Sequence, residues 1–206
     1  MPLKVVRLPE GDAWARLMET WGGLLDRYHA LALRAHDEDV AYWHREESLT
    51  GLLATAAWQI GGAGLVEFST TRTWLLPEES GTGAGDAWLL IGDRWYAVEA
   101  KLCWSSSGIR ASLTQAKDEL GSIPEGDRGE WGLAVCYCVP ELKSAPRASP
   151  MEELGKNLAA EFPEEALIVV YTPKGSTPEH GGLFYPGVAV VGRVVPWSPG
   201  GQSKTS

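Results

Sequence analysis

The stretch DAWLLIGDRWYAVEAK, from Asp86 to Lys101, constrains this chain more than any other. Two apolar, β-prone runs flank Gly92-Asp93, a dipeptide suited to a two-residue hairpin turn. So short a turn fixes the pairing: residue 91 faces 94, 90 faces 95, and so on back to 86 facing 99. Side chains alternate faces along a strand, so Glu99 and Lys101 share one face. The cross-strand partner Asp86 joins them there, its Cβ roughly 5 Å from that of Glu99.

On an exposed hairpin, Glu and Lys would be ordinary surface residues. Here Val98, Ala100 and Leu102 on one face and Trp95 and Ala97 on the other describe a strand covered on both sides. A buried Glu and Lys need a reason. Two carboxylates this close either share a proton or bind a divalent cation through oxygen. Mg²⁺ or Mn²⁺ suits such a pair and leaves coordination positions for a phosphate oxygen and a water. Lys101 adds a point charge that can orient the water or neutralise charge growing on phosphorus, and the Ala100 carbonyl is a further candidate ligand.

The remaining sequence supplies a scaffold of mixed type. One amphipathic helix is expected over 12–33, with Asp12 as N-cap, Trp14, Leu17, Met18, Trp21, Leu24, Leu25, Tyr28 and Leu31 as its apolar stripe, interrupted or loosened at Gly22-Gly23. A second helix, 42–60, ends at Gly61-Gly62. Strand 65–76 and a loop over 77–85 lead into the hairpin. Beyond it come a mobile Ser105-Ser106-Ser107-Gly108 loop, helix 109–120, strand 131–139, helix 151–162, strand 166–171 and a last strand 184–195. This order predicts one α/β domain over 1–200, a central mixed β-sheet flanked by helices. Its core spans about 42–140, an α/β addition covers 150–195, and 201–206 form a flexible tail.

At 206 residues and 44% apolar, one sizeable core is expected. The formal net charge of −9 argues against a molecule that sheathes nucleic acid by charge alone. Acidic residues bunch at 118–130 and 152–165, while Arg94, Lys101, Arg110 and Lys117 offer a local basic groove. Cys103, Cys136 and Cys138 have neither C-x-x-C spacing nor a histidine at zinc-finger spacing, so they read as buried small hydrophobes. No apolar run reaches membrane-spanning length and no signal core stands at the start, so a cytoplasmic protein without a membrane partner is expected. Trp88, Trp95, Trp104 and Trp131 fall close in sequence to the charged trio; Trp104 offers a stacking surface, though packing is the commoner role.

The order Asp86 … Glu99-Ala100-Lys101, at the end of a hairpin, resembles the signature of the PD-(D/E)xK superfamily, the restriction endonucleases and their relatives. Gly85 stands where that pattern has proline. The resemblance implies a restriction-endonuclease-like core, metal binding by Asp86 and Glu99, a catalytic role for Lys101, Mg²⁺ or Mn²⁺ as cofactor and DNA as substrate. Relatives often add a glutamate from the helix before the sheet. Glu46 is preferred over Glu47 because, at 100° per residue, it lies nearer the stripe Leu49, Leu53, Ala56 and Ile60. Gln115 matches a glutamine that some relatives carry on the following helix; Glu67 reads as a surface charge. A homodimer follows only by analogy. The rival reading is a non-catalytic member of the same fold, an immunity or defence accessory that meets a protein partner through its acidic surface.

Overall fold

The computed structural model describes residues 3–35, 39–73, 80–125, 128–146, 149–175 and 177–197. The expected tail, 201–206, and residues 74–79 lie outside them. Nine strands are assigned among the described residues: β1 Leu3–Arg7, β2 Ala63–Thr73, β3 Ser80–Ile91, β4 Arg94–Cys103, β5 Trp131–Cys138, β6 Leu167–Tyr171, β7 Glu179–His180, β8 Leu183–Phe184 and β9 Val188–Pro196. The helices are α1 Asp12–Arg34, α2 Glu46–Gln59, α3 Ile109–Gly121 and α4 Pro150–Glu161.

Seven strands form one mixed sheet in the order β1-β6-β9-β5-β4-β3-β2, and β7 and β8 pair separately. Only β4 and β5 run parallel, joined through α3 as a crossover. The C-terminal strands β6 and β9 lie within this sheet, with β9 directly beside β5, so the chain folds as a single α/β domain.

Alternation on the strands builds two cores. Leu89, Val98, Leu133, Val135 and Tyr137 face α1 and α2, where Trp14, Leu17, Trp21, Leu49 and Leu53 cover them. Ala97, Ala134, Cys136 and Cys138 face the other way, under Ile109, Leu113, Ala116 and Leu120 of α3 and Met151 and Leu158 of α4. Strand β4 is therefore covered on both faces, as its composition implies. No helix among the described residues is long and apolar enough to cross a membrane.

Several boundaries differ from the sequence expectation. Asp12 is the first helical residue rather than the cap, which is Gly11 at φ 108°. Helix α1 runs unbroken through Gly22-Gly23. Gly22 lies against Leu3, whose Cδ1 would stand 3.1 Å from an added Cβ, so it serves close packing on β1, a strand that no sequence signal announces. The second helix starts at Glu46, not residue 42. Asp39 accepts hydrogen bonds from Tyr28 and His44, and His44 and Arg45 stay extended behind a short turn at Ala41–Trp43. Residues 80–85, expected in a loop, pair with β2 through backbone hydrogen bonds that need no particular side chain. Strand 184–195 is divided: Pro186 lacks an N–H and Gly187 adopts φ 151°, so the sheet strand begins only at Val188.

Helix α2 approaches the sheet closely because Gly64 has no side chain, an added Cβ there falling 2.6 Å from the Ala54 Cα. Gly64→Ala should therefore cost about 1–3 kcal/mol in denaturant unfolding. Gly51→Ala, inside α2 with open space around it, should instead stabilise by about 0.5–1 kcal/mol. Equal effects of the two substitutions would contradict this contact.

Candidate functional site

The hairpin register holds from Ile91↔Arg94 to Ala87↔Val98 and stops one pair short of Asp86 and Glu99. Extended by the same register, Ala100 would exchange ladder hydrogen bonds with Gly85. Instead the Ala100 N–H donates to Oδ2 of Asp86 at 2.6 Å. A side chain has replaced a strand as the acceptor, so β3 and β4 part at this level. On its other side, β2 pairs Val66 with Ala87 and Phe68 with Gly85 but skips Glu67, which is exposed and sits at φ 52°. A non-glycine residue there is uncommon and costs roughly 1 kcal/mol. The ladder is thus interrupted on both flanks of Asp86.

At this level the edge of β4 is met by the Asp86 side chain rather than by the β3 backbone. Within an extended strand, a residue's N–H and C=O point to the same edge. The Ala100 carbonyl therefore points into the gap with its N–H. The charge of Asp86 is felt by Lys101 on the α3 face and by Tyr137 on the α2 face.

Glu99 is 1% exposed and the Lys101 side chain 17%. These are not surface residues. Burial alone would pull the Lys101 pKa down. The hydrogen bond and charge of Glu119, followed by the fields of Asp86 and Glu99, more than offset this, and the pKa is raised above its ordinary 10.5. Lys101 is consequently a cation at neutral pH, suited to stabilising negative charge rather than to accepting a proton.

Glu119 is the residue that the sequence reading missed. From α3 its Oε2 accepts from Lys101 Nζ at 2.7 Å, and its Oε1 accepts from Gln115 Nε2 at 2.9 Å. Gln115, exposed on α3, thus reaches Lys101 through Glu119. The available signal was the four-residue spacing from Gln115, which puts both side chains on one helix face.

Glu46, in the first turn of α2, is partly buried, whereas Glu47 is exposed. One turn further on, Thr50 donates to the Tyr137 hydroxyl at 3.4 Å. Burial first, then the charges of Asp86, Cys136 and Glu46, push the Tyr137 pKa up, opposed by that hydrogen bond. Glu46 and Asp86 therefore both act on the same phenol.

The cationic surroundings are fewer than the sequence suggested. Arg94 lies at the turn end of β4, about 23 Å along the strand from Lys101, where it stacks over Trp131. Arg110 stacks on Phe162. Arg110 and Lys117 do line an open groove along α3 that also includes Ser107, Gln115 and Glu119, with a volume of about 1250 Å³. Trp88 packs on Trp95, and Trp131 lies against Tyr96, both toward the hairpin turn. Trp104, beyond Lys101, is 41% exposed.

The donor chemistry of Asp86, Glu99 and the Ala100 carbonyl is all oxygen, as a hard divalent cation requires. Among the described residues no group of three or more His, Cys, Asp or Glu side chains is arranged to hold a cation by itself. Two carboxylates completed by water and substrate oxygens is the mode that Mg²⁺ favours, and the residues present fit it.

Compared with protein-family models, curated proteins and solved structures, the chain matches none.

The Lys101–Glu119 pair yields a prediction with a definite sign. A raised folded-state pKa contributes stability that is fully present below 10.5 and lost as pH rises through the folded value. Glu119→Gln should destabilise by about 1 kcal/mol at pH 8. The gap from wild type should narrow in unfolding measurements above pH 10.5. A pH-independent gap would show that packing rather than charge is responsible.

Proposed function

We propose that this chain is a metal-dependent nuclease of the PD-(D/E)xK kind, hydrolysing phosphodiester bonds, with DNA as substrate and a restriction-endonuclease-like core. The observation that carries the reading is the buried Glu99, held beside Lys101 and Asp86 where the β3–β4 ladder breaks. Stability alone would favour apolar residues at a site this deep, since a buried ion pair is often no better than well-packed hydrophobes. The polar trio is retained at a cost that function explains.

Asp86 and Glu99 would hold Mg²⁺ or Mn²⁺, with the Ala100 carbonyl and Glu46 as further oxygen donors. When bound, the cation would supply a water of lowered pKa and neutralise charge on the phosphate. Lys101 stays protonated and places its ammonium against the phosphate oxygens as negative charge develops. Glu119, itself held by Gln115, sets the direction of the Lys101 side chain. The groove along α3, with Arg110 and Lys117, offers a path for the flanking backbone.

Supercoiled plasmid, labelled single-stranded DNA and labelled RNA, each with Mg²⁺ or Mn²⁺, test the reading. Wild type should cut at least one DNA substrate only when the cation is added. Glu99→Gln and Lys101→Met should each lower the rate by about 100-fold or more, while far-ultraviolet circular dichroism stays unchanged. Cutting of RNA alone would move the substrate. No cutting by wild type, with no cation binding by calorimetry, would remove the catalytic reading and leave an acidic protein of net charge −9 whose partner is a basic protein surface.

A further inference from the structure

The chain's three cysteines lie outside the chemistry proposed above. Cys103 ends β4, and Cys136 and Cys138 stand on β5, so alternation turns all three toward the face under α3 and α4. All three are free thiols. The Sγ atoms of Cys103 and Cys136 are 3.5 Å apart, and Cys103 Sγ also donates to the Ser105 carbonyl at 3.3 Å. Cys136 and Cys138 are fully buried, whereas Cys103 keeps 8% exposure below the exposed residues 104–107.

The strand register sorts the partners. Cys103 pairs directly with Cys138, and neighbouring strands run about 4.8 Å apart, within the Cα separations that a disulfide spans. Cys136 is diagonal to Cys103. Its Cα lies roughly 8 Å away by the same spacings, too far for a bridge, even though its sulfur is in contact. Hydrogen bonds from Cys136 and then Cys138 favour the thiolate on Cys103 against the effect of burial, holding its pKa below that of an ordinary thiol. The same bonds, together with burial, push Cys136 and Cys138 up. An oxidant that reaches Cys103 therefore meets a sulfur in contact with two further thiols.

We propose that Cys103 is an oxidation site for hydrogen peroxide, and that Cys138 resolves the resulting sulfenic acid as a Cys103–Cys138 disulfide. In the first step the Cys103 sulfur attacks a peroxide oxygen. An S–O bond forms, the O–O bond breaks, and hydroxide leaves to be protonated to water. In the second, the Cys138 sulfur attacks that of Cys103. An S–S bond forms, the S–O bond breaks, and a second water leaves with the Cys138 proton. Two thiols lose two electrons in all, and one peroxide becomes two waters. Cys136 takes no part in the covalent chemistry. The reaction is independent of cation binding at Asp86 and Glu99.

The test treats the native full-length protein with hydrogen peroxide, unfolds it in excess N-ethylmaleimide, and maps the peptides by mass spectrometry. Two of the three thiols should be lost, with Cys103 joined to Cys138, and dithiothreitol should restore both. Cys138→Ala should leave Cys103 as a sulfenic acid that dimedone labels, whereas Cys136→Ala should still give the disulfide. A Cys103–Cys136 link, three thiols still open to alkylation, or sulfenic acid without a disulfide in wild type would each overturn the proposal. The wild-type map decides the linkage even where a variant fails to fold.

Discussion

The hydrogen bond from the Ala100 N–H to the Asp86 carboxylate settles where the sheet stops being a sheet. A regular ladder would have given that N–H to the backbone of β3 and closed the space between the strands. With the side chain in its place, β3 leaves β4 after Ala87↔Val98, and the edge of β4 there faces a carboxylate instead of a backbone. Glu99, Lys101 and the Ala100 carbonyl owe their setting to that departure. A charged acceptor also makes a stronger partner for an N–H than a neutral carbonyl does, which helps to keep the split open.

The electrostatics around the gap form one coupled unit. A carboxylate as deeply buried as Glu99 pays heavily for lost hydration unless opposite charge lies near. Lys101 supplies that charge and is itself kept protonated by Glu119, Asp86 and Glu99 against its own burial. Three acids around one lysine leave the centre net negative, so a divalent cation would be attracted there, and a phosphate would need it. Because the groups depend on one another, removing any one of them changes the rest, and single substitutions will not add.

Much of the setting was legible in the sequence because a two-residue turn leaves the register little freedom; Gly92-Asp93 fixed Ile91 against Arg94 and the pairs back to Ala87 and Val98, but not Asp86 against Glu99. The helix phase put Glu46 nearer the apolar stripe than Glu47 for a similar reason, since 100° per residue is a rigid rule, and Glu46 is the more buried of the two. What the sequence hid was set by tertiary contact. Glu119 reads as one more acid on a polar helix face until α3 is laid across β4. LKVVR reads as a short polar-apolar run until β6 offers it an edge. Gly22-Gly23 looks like a helix break, and only the presence of Leu3 shows why small residues are wanted there. The glycine- and serine-rich run before Asp86 looks like loop, yet its backbone supports pairing as well as any other once β2 lies beside it.

The central claim is that the gap beside β4, and not the acidic surface elsewhere, is where a divalent cation settles. Titration of the isotope-labelled full chain with substoichiometric Mn²⁺, followed through its amide resonances, tests this most directly. The account predicts broadening centred on Asp86, Glu99 and Ala100, extending to Glu46, and removed by an excess of Mg²⁺. Broadening centred on the acidic stretch 152–165, with the β3–β4 gap left sharp, would contradict it.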